Sequence, residues 1–593
     1  MKDLVSNQLI KYLEDRGVEC IFGLCGHTNI AVLAALSKSR IRFINTRHEQ
    51  IAAHAADGYA RVKHTTAVVL SHLGPGLTNA STGIANAALD SIPMVVIAGD
   101  VPSHYFGRHP HQEINLHSDA SQSEIYRPFV KRVWRVDRAD LFPEIIEKAF
   151  QLAESGRPGP VLVSVPMDIF SKEVDVALFQ SVRSKTKELH RPSLDAEVAA
   201  RIVTLMAEAK TPLIYAGGGV ILAQAAEELR ELAEHLAIPV AHTLMGKGVL
   251  PDDNPLTLGM TGFWGTQFVN DTCKAADYVL GLGTRFSEAD CSSWDPRFTF
   301  NFPPSRLIHI DIDPSEIGRN YPVEIGAVAD VKEALVALLR EARRLYPAGR
   351  KNPRLVGEIA AYRKQFLQSN EAHARSDSYP MRPERILADV RAVLPRDAII
   401  TTDVGWNKNG VGQQFPIYTP GSILTPGGYA TMGFGAPGAV GAKIAAPDRV
   451  VVALVGDGGF GQNPSVLAAA VEQNVPVVWI VMNNYAYGTI AGLSMAHYGT
   501  TFGCVFTKDG KPYSPDFAAI ARGYGAEGIR IDSAAAFKPA LEQAIRSKRP
   551  VVIDVAMQNE PVPTAGHWNI NDIYSPDREV SHVATEFAVA MAQ

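Results

Sequence analysis

Gly456-Asp457-Gly458-Gly459-Phe460-Gly461 is the stretch on which the reading turns. It follows an apolar run at 450–455 and precedes a helix-like segment at 464–473. Taken alone it fits G-x-G-x-x-G, the dinucleotide fingerprint, through Gly456, Gly458 and Gly461. That fingerprint expects an acidic residue about twenty positions on, near the end of the next strand. Here the next apolar run, 475–482, ends in Asn483-Asn484 instead. A different chemistry accounts for both ends. Asp457 leaves one strand and Asn484 the next, so neighbouring strands set two oxygen ligands side by side. Carboxylate and amide oxygens suit Mg2+ or Ca2+, with diphosphate oxygens, water and a backbone carbonyl filling the other positions. Gly458 and Gly459 let backbone N–H groups approach phosphates where a helix begins.

Working outward, short apolar runs alternate with helix-length amphipathic stretches along most of the chain. Runs at 67–71, 94–99 and 161–165 fall in the first third, 212–217, 278–283 and 307–312 in the second, and 450–456, 477–482 and 551–555 in the last. They are apolar on both faces, which marks buried parallel strands. Alternation of this kind predicts an α/β protein of three doubly wound parallel-sheet domains, with sites at the carboxyl ends of strands. Two polar stretches break the rhythm, 171–197 and 346–384, and read as linkers, the second with a helix-like piece at 355–368. The expected domains are 1–180, 190–345 and 380–560, followed by a tail at 561–593 that ends in a short helix-like piece.

Composition narrows the function. The chain has 593 residues, 46% of them hydrophobic, so large cores are available and no disorder is indicated. A net charge of −5 argues against nucleic acid as a partner. No apolar run reaches the roughly 18 residues needed to cross a bilayer. The start, Met1-Lys2-Asp3-Leu4-Val5, has no basic-then-apolar signal segment, so a cytoplasmic enzyme is expected. The five Cys are scattered without a CxxC pair, which indicates neither a disulfide framework nor a zinc site.

Gly-Asp-Gly followed about 25 residues later by Asn-Asn resembles the motif of thiamine diphosphate enzymes. The resemblance implies a three-domain fold with pyrimidine-binding, central and diphosphate-binding parts. It carries Mg2+ ligation onto Asp457, Asn484 and the carbonyl of Ala486, and cofactor binding onto Gly456, Gly458 and Gly459. Thr46-Arg47-His48-Glu49, after a strand at 42–45, is similar to the run that supplies the activating carboxylate in decarboxylase and acetolactate synthase relatives, which implies Glu49. Met432, in Gly427-Gly428-Tyr429-Ala430-Thr431-Met432-Gly433, corresponds to the bulky apolar residue that keeps the cofactor bent, with Gly428 beside it. In such enzymes the first domain of one subunit faces the third domain of another, which implies a homodimer or homotetramer with the active site at the interface.

The middle domain resembles that of the acetolactate synthase group, where FAD is held. Gly217-Gly218-Gly219, Gly283-Thr284-Arg285-Phe286 and His309-Ile310-Asp311 carry the likeness, making Gly217, Gly218, Arg285 and Asp311 candidates for binding FAD or another nucleotide. Elsewhere the chain departs from the synthases. Leu493 stands where they have Trp, and His111-Gln112-Glu113 where they have Phe-Gln-Glu. Gly26-His27-Thr28-Asn29 replaces their Pro-Gly-Gly, and His72 sits at another strand end. Benzaldehyde lyase, benzoylformate decarboxylase and cyclohexane-1,2-dione hydrolase place proton-handling His residues in such loops. An unperturbed His suits that task near neutral pH. The expected catalytic set is therefore Glu49, His27, His72 and Gln112. The implied function is that of a thiamine diphosphate- and Mg2+-dependent carboligase or lyase, acetolactate synthase-like. Its donor is a 2-oxo acid such as pyruvate and its acceptor an aldehyde or ketone. The alternatives are a 2-oxo acid decarboxylase, a 2-hydroxy ketone lyase and a 1,2-diketone hydrolase.

Overall fold

A computed structural model describes residues 1–182 and 190–574. Three parallel sheets of six strands organise it. In the first, the strand order is Arg42–Asn45, Cys20–Gly23, Ala67–Ser71, Met94–Asp100, Pro160–Pro166, Val133–Arg135. The central sheet runs Thr257–Met260, Val240–His242, Pro212–Ala216, Tyr278–Leu282, Arg306–Asp311, Ile325–Val328. The third runs Ile423–Leu424, Ile399–Thr402, Val451–Gly456, Val478–Asn483, Val551–Ala556, Glu527–Arg530. Their inner strands are buried along nearly their whole length, which is why they appear in the sequence as unbroken apolar runs.

Each sheet winds outward from one pair of adjacent strands, and ligands of open α/β sheets bind outside the carboxyl ends of such a pair. In the first sheet the pair is Cys20–Gly23 and Ala67–Ser71, so His27 and His72 follow the two strands at the crevice. In the central sheet it is Pro212–Ala216 and Tyr278–Leu282, followed by Gly217 and Gly283. In the third it is Ile399–Thr402 and Val451–Gly456, followed by Asp403 and Asp457.

The first and third domains are joined by two helices, Glu49–Lys63 and Gly435–Ala445. They cross so closely that a Cβ at Gly441 would overlap the carbonyl of Ala55. His54 and Phe434 meet edge-to-face in this seam, with ring centroids 5.6 Å apart.

Within the stretch 171–197, residues 173–182 form a strand and a helix rather than a linker. Glu173–Asp175 pairs antiparallel with Lys2–Leu4, and the helix Val176–Val182 buries Phe179 and Val182 in the first core. Spaced apolar residues hidden among Lys, Ser and Arg do this. The remaining part at 183–189 lies outside the described residues. The stretch 346–384 contains a helix, Pro353–Ala374, longer than the expected piece and burying only Ile359. The tail up to 574 packs on the central domain through Trp568, which contacts Phe263 and Trp264 at 5.3 and 5.7 Å. Its expected final helix lies outside the described residues.

Candidate active site

Asp457 and Asn484 come from adjacent strand ends, as the motif implied. The carboxamide oxygen of Asn484 stands 3.1 Å from Asp457 Oδ1 and 2.9 Å from the Ala486 carbonyl oxygen. Its Nδ2 donates to Asn559 Oδ1 at 3.0 Å. Turning the amide would bond its nitrogen to Asp457 and Ala486 but press its oxygen against that of Asn559. With the oxygen inward, it lies within 3.1 Å of two other oxygens. The edge of an octahedron with Mg2+–oxygen bonds is about 3 Å, so the spacing fits that ion. Asp457 Oδ2 is buried and has no hydrogen-bond partner, which leaves it free as a ligand. Burial pushes the Asp457 carboxyl up to about 7, so a cation is what would hold it ionised at neutral pH.

Beside this loop lies a residue that the motif did not reveal. Asp403 is buried and accepts from Gly433 N and Gly435 N, each at 3.0 Å. A Cβ at Gly459 would stand 2.7 Å from Asp403 Cγ, so the diphosphate loop is built tightly around this carboxylate. Its place at the end of the strand next to that of Asp457 is the signal that could have found it. Met432 is half-buried in the turn that ends at Gly433. Gly428 lies farther off, at the seam of the domains, where its N–H donates to Asp90 Oδ1 at 2.6 Å.

The first domain gathers the other half. Glu49 opens the helix Glu49–Lys63, whose N-cap is the His48 side chain, accepting from Gln50 N at 3.2 Å. The Glu49 carboxylate is 4% exposed and takes a bond from Asn79 Nδ2 at 3.0 Å. A Cβ at Gly76 would stand 3.2 Å from Glu49 Oε1 and 3.0 Å from His72 Cβ, so the carboxylate and the imidazole share one wall. His72 Nδ1 meets Thr28 Oγ1 at 2.7 Å, and its Nε2 meets Gln112 Oε1 at 2.8 Å. A carbonyl oxygen only accepts, so Nε2 carries the proton and Nδ1 accepts from the Thr28 hydroxyl. The His27 ring lies 4.7 Å from that of His72 and 6.1 Å from that of His111. Burial and the charges of both neighbours hold His27 below the ordinary imidazole range. Gln112 has a left-handed backbone, φ 65°, of the kind that clusters where a side chain is aimed for function. All four expected catalytic residues are thus brought together. Thr28 and Asn79 were not anticipated, since neither residue type announces a site.

Among the described residues, no hydrogen bond within the chain joins the Glu49–His72 group to the Asp457–Asn484 group. The large aromatic Phe502, 93% exposed, follows the helix Gly488–Tyr498 in the third domain, and Leu116, 84% exposed, follows Gln112 in the first.

Gly217, Gly218, Arg285 and Asp311 line a single cavity of about 390 Å3. It lies where the three domains meet and also touches Arg61, Asp90 and Leu424. Burial pushes the Asp311 carboxyl up to about 6. Closely packed glycines leave backbone exposed on one side, and Arg285 with Asp311 gives both a cation and an acceptor, a set that fits a nucleotide.

Comparison with known proteins agrees with this geometry. Residues 4–122 match the family model "Thiamine pyrophosphate enzyme, N-terminal TPP binding domain", 199–338 the central domain and 403–555 the C-terminal TPP binding domain. The chain is 37% identical to a probable acetolactate synthase large subunit of Methanocaldococcus jannaschii, covering 96% of this chain and 95% of that one. It is 36% identical to its counterpart in Methanococcus aeolicus, covering 93% and 91%. With acetolactate synthase isozyme 1 large subunit of Escherichia coli the identity is 33%, over 93% of each. Among the described residues no helix is long and apolar enough to cross a membrane. Three matched domains in order, and full-length likeness to these synthases, place the chain in the thiamine pyrophosphate enzyme family, as an enzyme of the acetolactate synthase type.

Proposed function

We propose that the chain joins two small carbonyl compounds. It takes a 2-oxo acid such as pyruvate as donor, releases CO2 and forms a 2-hydroxy-2-methyl-3-oxo acid or a 2-hydroxy ketone. The observation that carries the cofactor reading is the buried Asp457 carboxylate, one oxygen unpartnered among the described residues and the other facing the Asn484 amide oxygen, which in turn faces the Ala486 carbonyl. Those three groups would hold Mg2+ and, through it, the diphosphate of thiamine diphosphate. When bound, that cofactor supplies a nucleophilic carbon and an electron sink for breaking and making a carbon–carbon bond beside a carbonyl.

The chain's own residues divide the remaining work. Glu49, dry and held by Asn79, offers its carboxylate to the cofactor's pyrimidine ring, where a charged hydrogen bond is strong. His72, its tautomer set by Thr28 and Gln112, presents Nε2–H to a substrate oxygen when Gln112 gives way. His27, kept neutral by its surroundings, can accept a proton at that side. Because no hydrogen bond joins the Glu49 and Asp457 groups within one chain among the described residues, two copies would complete each site. The central cavity would take FAD or a related nucleotide.

Incubation of the purified protein with thiamine diphosphate, Mg2+ and a panel of 2-oxo acids, aldehydes and diketones, read by mass spectrometry, tests this. Coupled products with CO2 release are expected. Acetaldehyde alone from pyruvate, or only ring-opened product from a cyclic diketone, overturns it. A yellow colour that denaturation releases as flavin is the check on the cavity.

A further inference from the structure

The turn that carries Met432 is held at both ends by buried carboxylates. Asp403 takes the end at Gly433 and Gly435. Asp90 takes the other end, accepting from Gly428 N at 2.6 Å and Gly427 N at 3.3 Å. Asp403 belongs to the same domain as the turn, but Asp90 comes from the first domain, just after the helix Pro75–Leu89.

Asp90 does not act alone. Arg61 Nη2 donates to Asp90 Oδ2 at 2.8 Å and to Asp57 Oδ2 at 3.2 Å, and Arg61 Nη1 reaches the carbonyl of Thr425 at 3.0 Å. Asn86 Nδ2 donates to Asp57 Oδ2 at 2.9 Å. Asp57, Asn86 and Asp90 are all buried. A buried ion-pair network of this kind seldom adds net stability over apolar packing, so what it supplies is geometry. The fit has no slack, for a Cβ at Gly428 would stand 2.8 Å from Asp90 Oδ1 and 2.9 Å from Arg285 Nη2. Arg61 is on the helix that begins with Glu49, and Asp90 follows the helix that carries Asn79, the hydrogen-bond donor to Glu49.

We propose that Asp90 and Arg61 are positioning residues that set the Gly427–Gly433 turn, and with it the place of Met432 in the cofactor site. This deepens the thiamine diphosphate reading above and rests on it. Asp90 also lines the central cavity, so the same carboxylate faces two binding spaces.

The test uses the full-length chain with Asp90→Ala and, separately, Arg61→Lys, which keeps a cation between the carboxylates while losing the fork to Thr425. Thiamine diphosphate is titrated in the presence of Mg2+ by calorimetry, near-ultraviolet circular dichroism of the bound aminopyrimidine is recorded, and thermal unfolding reports whether the fold is intact. Asp90→Ala is expected to raise the thiamine diphosphate dissociation constant about tenfold or more. It should also alter the dichroic band, with KM for the 2-oxo acid within about twofold of wild type. Arg61→Lys is expected to move the same readouts in the same direction by about threefold, and decides the matter if Asp90→Ala does not fold. Folded variants with an unchanged dissociation constant and an unchanged band overturn the positioning role. Failure of the wild-type chain itself to bind thiamine diphosphate sinks the functional reading instead.

Discussion

His72 Nε2 and Gln112 Oε1 stand 2.8 Å apart, and the Gln112 backbone adopts a left-handed conformation to bring them there. This bond decides which nitrogen of His72 carries the proton. Gln112→Ala is expected to lower kcat by about 10- to 100-fold, the range for a mispositioned acid–base group. Calorimetric affinity for thiamine diphosphate should stay unchanged, because neither residue belongs to the Mg2+ ligand set. A variant with full turnover would remove Gln112 from the reaction.

Glu49 is buried and takes a hydrogen bond from Asn79. Glu49→Gln keeps the shape and removes the charge. The expected loss in turnover is on the order of 100-fold or more. Exchange of the C2 proton of bound thiamine diphosphate for deuterium, followed by NMR after acid quench, should slow in step. Slow turnover with fast exchange would assign Glu49 to a different stage.

The Asp457 carboxyl has its pKa raised by burial from 3.8 to about 7 in the metal-free chain. A raised folded-state value means that the protonated form stabilises the fold at low pH, and that this stabilisation is lost as pH climbs toward and past about 7. A bound divalent ion reverses the preference, since it needs the ionised form. The gain in melting temperature from Mg2+ with thiamine diphosphate is therefore expected to be larger at pH 8 than at pH 6, both chosen to bracket about 7. Asp457→Asn should flatten that difference, as differential scanning calorimetry would record.

His54 is fully buried against Phe434, neither ring nitrogen has a partner, and burial lowers its pKa from 6.5 to about 3. The unfolded chain takes up a proton below 6.5 while the folded chain resists until about 3, so stability falls as pH drops through that window. The slope from one such group approaches 1.4 kcal/mol per pH unit, roughly. His54→Leu is expected to be more resistant to acid than wild type between pH 6 and pH 4, inside that window, in urea titrations. Equal slopes would show that the seam is wetter than it looks.

Much of this was legible in the sequence because parallel strands are buried on both faces and leave unbroken apolar runs behind. Asp457 and Asn484 stood out because a polar residue directly after such a run has few reasons to be there, and Glu49 through the likeness of Thr46-Arg47-His48-Glu49 to the run that supplies the activating carboxylate in the family. Asp90, Asp403, Asn79 and Thr28 did not stand out. Each acts through hydrogen bonds to groups distant in sequence, and only the folded chain brings them together. The strand at Glu173–Asp175 was hidden for the same reason, its partner being the chain's opening residues. Composition spoke for Lys, Ser and Arg, while pairing with Lys2–Leu4 decided the outcome.

The helix Glu49–Lys63 has fifteen residues and so spans about 22 Å. Its head carries the Glu49 carboxylate, and near its tail Arg61 holds the Thr425 carbonyl and the Asp90 carboxylate that caps the Gly427–Gly433 turn. The two contacts thus share one rigid rod, so a substitution that tilts the helix displaces the acid and the turn together.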